Sequence, residues 1–170
     1  MKKGIIGILL SVLFACCLAG CKSYTLLEEP EEFSFSLVWD TYGVSSYDSE
    51  TGTLVKTSHA TNPEEYITTY LLSEEEKQTI YDMIRKMEVS SYPDHYNPNP
   101  NVYSAPSMSI VLTVHTDTID KIISAEDIAI SYDCKNKKGQ KFLSTVKAII
   151  DILTETEEWK ALPDYEFYYL

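Results

Sequence analysis

Basic residues are in short supply: 14 Lys and Arg stand against 26 Asp and Glu, a formal net charge of −12 over 170 residues. Binding a phosphate backbone needs a cationic face, so this balance argues against nucleic acid as a partner. Glycine occurs only six times, proline seven, and no repeat is visible. That excludes collagen-like, coiled-coil and disordered-tail classes. Histidine occurs three times, at His59, His95 and His115, with no pair at the i, i+2 or i+4 spacing of a strand or helical metal motif. G-x-S-x-G, G-x-x-x-x-G-K-[ST] and the D-x-D-x-D-G calcium loop are all missing. What remains is ordinary for a globular chain: 44% apolar residues can fill a core, 24% are charged, and the length suits one domain.

The N-terminus is an address. Met1-Lys2-Lys3 is a short positive region, residues 4–21 carry no charge, and residues 5–13 are nearly all aliphatic. A positive start, a short apolar run and then small residues form the secretory signal pattern. The run ends in Leu18-Ala19-Gly20-Cys21, which resembles the lipobox of bacterial lipoproteins. That resemblance covers only the N-terminal segment. It implies that the Cys21 thiol is joined to diacylglycerol, that a dedicated peptidase cuts before Cys21, and that the new amine can be acylated. The remaining chain, 22–170, resembles in general layout uncharacterised small lipoproteins of Gram-positive bacteria, a likeness that supplies no activity. The plainer alternative is an uncleaved anchor, since 18 uncharged residues lie at the lower edge of a spanning length. Gly4, Gly7 and Ser11 make such a helix poor. Either reading puts the bulk of the chain on the extracytoplasmic side of the cell membrane. Two acyl chains hold a protein at a bilayer stably, whereas one holds it marginally.

The expected organisation is a signal peptide over 1–20, a lipidated Cys21 with an acidic tether to residue 32, and one globular domain over 33–170. Loss of Lys2 and Lys3 leaves 12 bases against 26 acids, about −14. Cys16 and Cys17 leave with the signal peptide and Cys21 is spent on lipid, so Cys134 is the one remaining thiol and no internal disulfide forms. About 150 residues can hold a fold by core burial alone. The acidic, Pro-interrupted stretch 22–32 reaches at most about 35–40 Å. Anionic headgroups repel it within a Debye length of about 8–10 Å.

Phe33, Phe35, Leu37 and Trp39 alternate with Ser34, Ser36, Val38 and Asp40, the pattern of a strand with one strongly apolar face. Residues 44–48 and 53–57 flank Ser49-Glu50-Thr51-Gly52 and predict a hairpin closed by Gly52. Residues 65–72 read as a further strand. Ser73 followed by Glu76 is a capping box, and Ile80, Met83, Ile84 and Met87 mark the buried stripe of a helix ending near Glu88. Four prolines make residues 90–106 a loop. A strand resumes at 108–115, a short one at 121–124, and 128–134 reads as another strand or an extension of a turn. Residues 136–157 predict the clearest helix, with Phe142, Val146, Ile149, Ile150 and Leu153 on one face. The tail from Trp159 is expected to pack back as strand or coil. The fold class this predicts is α+β: a single antiparallel sheet with two amphipathic helices on one face.

Chemistry is harder to place. Glu74, Glu75 and Glu76 are explained by capping, and Glu155, Glu157 and Glu158 read as a solvated helix end. Asp94-His95 offers one edge of a metal site, for which the other ligands are not evident. Cys134 beside Lys135 is either an activated thiol or a small packing residue. Tyr92, Tyr96 and Tyr103 share the Pro/Asn loop with His95. Tyrosine gives rigid amphipathic contact area, so these four are the candidate ligand-binding residues, for a glycan, a peptide or an envelope protein. The alternative is that the tyrosines cover sheet edges. The expected function is a non-enzymatic binding domain without cofactor or metal, held to membrane lipid through Cys21. The alternatives are an envelope enzyme or inhibitor using acids or Asp94/His95, or a protector that neutralises a basic toxin through its charge.

Overall fold

A computed structural model describes residues 32–165. The expected signal peptide, Cys21 and most of the expected tether lie outside the described residues, as do residues 166–170 of the expected tail. Strand β1 (Ser34–Trp39) buries Phe35, Leu37 and Trp39 and turns Ser34, Ser36 and Val38 outward. It forms where alternation predicts it, because one face has a core to meet. A turn through Gly43, at φ +68°, leads to β2 (Ser45–Asp48). Gly52, at φ +69°, closes the hairpin to β3 (Thr53–Val55). The next strand is shorter than expected. Pro63 starts a 3₁₀ turn over Pro63–Tyr66, so β4 covers only Ile67–Thr69.

Helix α1 (Glu74–Met87) starts at the capping box. The Ser73 hydroxyl accepts from the Glu76 amide, and the Glu76 carboxylate accepts from the Ser73 amide at 2.9 Å. It stops at Glu88, which takes a left-handed conformation at φ +61°. Ile80, Ile84 and Met87 are buried, while Met83 only packs at the margin.

β5 (Met108–His115) pairs with β1 and with β6 (Asp120–Ile128). β6 is longer than the expected 121–124. A bulge opposite Met108 to Ile110, with Asp127 at φ +52°, breaks the alternation while the strand runs on to Ile128. Residues 129–136 then form a connection and not another strand. Helix α2 (Lys137–Thr154) is capped by Asn136, whose Oδ1 accepts from the Gly139 amide at 2.6 Å. It ends short of residue 157. Thr156 caps a new short helix, α3 (Glu157–Ala161), so Glu157 and Glu158 sit in a first turn, where the dipole favours them, and not at a helix end.

The six strands form one antiparallel sheet in the order β4-β3-β2-β1-β5-β6. Tyr47, Leu37, Leu112 and Ile123 are register partners across it and share its buried face. Both long helices cover that face, with Phe142, Leu143, Val146, Ile149 and Leu153 of α2 fully buried. The fold class is therefore the α+β arrangement read from sequence. The segment after α2 covers the rest of the same face. Trp159 stacks on Trp39 at 5.8 Å between centroids, and Lys56 lies over the rings of Trp159 and Tyr165.

The sheet has two distinct ends. Ser34, His115 and Asp120 are register partners at the end where the chain enters, beside the β2–β3 hairpin. Trp39, Met108 and Ile128 end their strands at the other, about 25 Å away for strands of this length.

Candidate functional site

A concavity of about 610 Å³ lies at the end of the sheet opposite the entering chain. Its walls are residues 98–102 of the Pro/Asn loop and residues 131–136, which lead into α2. The loop arrives there because residues 94–96 run beside the β6 edge as a short parallel addition. Asp94 O accepts from the Ser124 amide at 2.7 Å, and Ser124 O accepts from the Tyr96 amide at 2.9 Å. A parallel path along β6 carries the chain to the Ile128 end.

The walls are fixed by hydrogen bonds. The Cys134 thiol donates to Pro98 O at 3.0 Å. Asn136 Nδ2 donates to the same carbonyl at 2.9 Å while its Oδ1 caps α2. Asn99 Nδ2 donates to Asp133 O at 2.8 Å, and Ser104 Oγ accepts from the Ile130 amide at 2.9 Å. Against that scaffold, the side chains of Asn101, Asp133 and Lys135 are unengaged by other described residues. The groove therefore offers one amide, one carboxylate and one ammonium. Apolar Pro98, Pro100 and half-exposed Val102 lie between them, and Ile130 and Tyr103 stand exposed nearby.

The three loop tyrosines do not form one surface. Tyr92 is buried, its hydroxyl donating to Lys138 O at 3.0 Å, and burial pushes its pKa up to about 12. Tyr96 meets Tyr92 and Phe142 edge-on, and burial raises its hydroxyl as well. Only Tyr103 projects, 84% exposed, with its hydroxyl donating to Pro100 O at 3.3 Å. His95 is exposed on the β6 edge, away from the groove walls. Its neighbour Asp94 forms an ion pair with Lys121, which holds the Asp94 carboxyl below the usual carboxylate range. His115 Nδ1 lies 3.1 Å from Asp120 at the other end of the sheet. Among the described residues, no three His, Cys, Asp or Glu side chains converge as a metal site would require. Cys134 packs against the first turn of α2, where a Cβ on Gly139 would fall 2.2 Å from its sulfur.

Sequence reasoning noted the loop and Cys134 separately but not the groove they share. The usable signal was Asn136 with Gly139, an N-cap followed by a residue small enough for another segment to approach. Among the described residues, no helix is long and apolar enough to cross a membrane. No protein-family model, no curated protein and no solved structure matches this chain.

Proposed function

We propose that this chain is a lipid-anchored extracytoplasmic protein whose domain binds, without catalysis, a peptide segment of an envelope partner in the groove between residues 98–102 and 131–136. The observation that carries the reading is polarity of placement. The chain enters the sheet at Ser34, and the groove opens at the opposite end, beyond Ile128. An anchor at Cys21, eleven residues before Glu32, would hold the Ser34 end toward the bilayer and leave the groove facing outward. Aliphatic Val102 and Ile130 beside the groove favour a polypeptide over a sugar, and Asn101, Asp133 and Lys135 supply polar contacts to it.

A photo-crosslinking residue at Val102, in cells carrying the full chain, tests this. The expected result is a discrete adduct with one envelope protein, lost when Lys135→Glu and Asn101→Asp are added. The same residue at Thr79, exposed on α1, gives no such adduct. Identical adducts from both positions, or none at Val102, would overturn the proposal.

A further inference from the structure

On a chain of −12, acid is missing from the two segments that meet at the groove. Residues 95–116 and 134–150 are the two longest stretches beyond Cys21 without an aspartate or glutamate, and the second holds five of the 12 basic residues beyond that point. Lys135 lies on the groove wall, and Lys137 stands exposed just past the Asn136 cap; neither is paired with another described residue. Lys138 donates to Ser91 O at 2.6 Å and lies over the Tyr92 ring, contacts that leave its charge uncancelled. Farther along α2 the lysines are matched by acids: Lys141 pairs with Glu88 at 2.6 Å and Lys147 with Asp151 at 2.7 Å. Asp133 is the one acid among the residues that line the groove.

Resting on the peptide groove proposed above, we infer that the segment it takes is acidic, with an Asp or Glu side chain set against Lys135 and Lys137. Charge complementarity selects this occupant. Exposed charges farther apart than a Debye length of about 8–10 Å are largely screened, so the segment meets the local lysines and not the charge of the whole molecule. The acids spread over the rest of the surface repel it, and that repulsion directs it to the one wall where lysines outnumber carboxylates. Asp133 narrows the class further. A carboxylate on the wall repels a uniform polyanion, whereas a polypeptide can present an amide or hydroxyl donor to Asp133 and an acid to the lysines. Exposed ion pairs are individually weak. Val102 and the prolines therefore supply contact area, and the lysines choose among sequences.

The buried core closes between Phe33 and Leu153, so chain 22–170 serves for the test. Phage-displayed random peptides are panned on it, and the leading ones are made as free peptides. They are expected to carry more Asp and Glu than Lys and Arg, and to crosslink to a photoreactive residue at Val102. Lys135→Glu with Lys137→Glu should weaken them about tenfold with unchanged circular dichroism. Lys86→Glu with Lys147→Glu changes the net charge equally and should leave the affinity intact. Neutral or basic peptides that crosslink at Val102 would overturn the inference and leave the groove reading standing. No enriched peptide, or peptides that fail to crosslink there, would overturn both. Inorganic polyphosphate that binds as tightly as the peptides and is weakened by the same two groove substitutions would make the occupant a simple polyanion, which also overturns the inference.

Discussion

Gly139 shows how one missing side chain positions the groove. It lies in the first turn of α2, where alanine would ordinarily gain about 1 kcal/mol of helix propensity. Here a Cβ would meet Cys134 Sγ at 2.2 Å and Pro98 O at 3.1 Å. Overpacking of this kind costs about 1–3 kcal/mol, so Gly139→Ala should lower stability in urea unfolding despite its propensity. In a Cys134→Ala background the closest contact is gone, and the same substitution should become nearly neutral. Equal losses in both backgrounds would place the strain elsewhere. Residue identity is also where the sequence is least legible. Tyrosine suits a binding surface and a core margin equally well. Nothing in Tyr92, Tyr96 and Tyr103 by themselves indicates that the first two rings turn onto Phe142 while the third faces solvent.

Elements were legible where a local rule and the core agree. β1 and β5 follow their alternation because the helices cover one face of each. α1 starts and stops at the residues its capping signals name. Legibility fails where a local feature interrupts the pattern: the bulge with Asp127 in β6, and Thr156, which caps a new short helix where one helix was expected to run on to residue 157. The capping box also links α1 to the sheet. Glu76 accepts from the Ser73 hydroxyl and from the Tyr70 hydroxyl, both at 2.6 Å. Partial burial raises the Glu76 pKa, but these hydrogen bonds outweigh it and leave the carboxyl below its ordinary 4.5. A depressed carboxylate stabilises the fold above its unfolded pKa, and that contribution is lost as pH falls through the folded value. Ser73→Ala should therefore cost about 1 kcal/mol at neutral pH. The gap between mutant and parent should narrow in acid, read from urea midpoints at pH 7 and pH 3. A gap of the same size at both would contradict the role given to Glu76.

At the scale of the whole molecule, the fold is held by one apolar core with phenols around its edge. Burial foremost raises Tyr47, Tyr92, Tyr132 and Tyr165 to about 12, from 10.0. Groups raised in this way stabilise the fold fully below pH 10 and lose that contribution as pH climbs through 12. Alkaline titration should show a late phenolate absorbance step that coincides with loss of far-ultraviolet dichroism. Gradual ionisation of every tyrosine near pH 10, with the dichroism intact, would contradict the packing described.

The proposed anchor would give the acidic globule and its groove a common orientation at the bilayer. The charge of about −14 and the outward-facing groove both depend on removal of residues 1–20 and on lipid at Cys21. Intact mass of the chain recovered from membranes tests that most directly. The expected mass is that of residues 21–170 plus diacylglycerol on the Cys21 sulfur, with or without an added acyl group on its amine. A mass that retains residues 1–20 with an unmodified Cys21 thiol would contradict it.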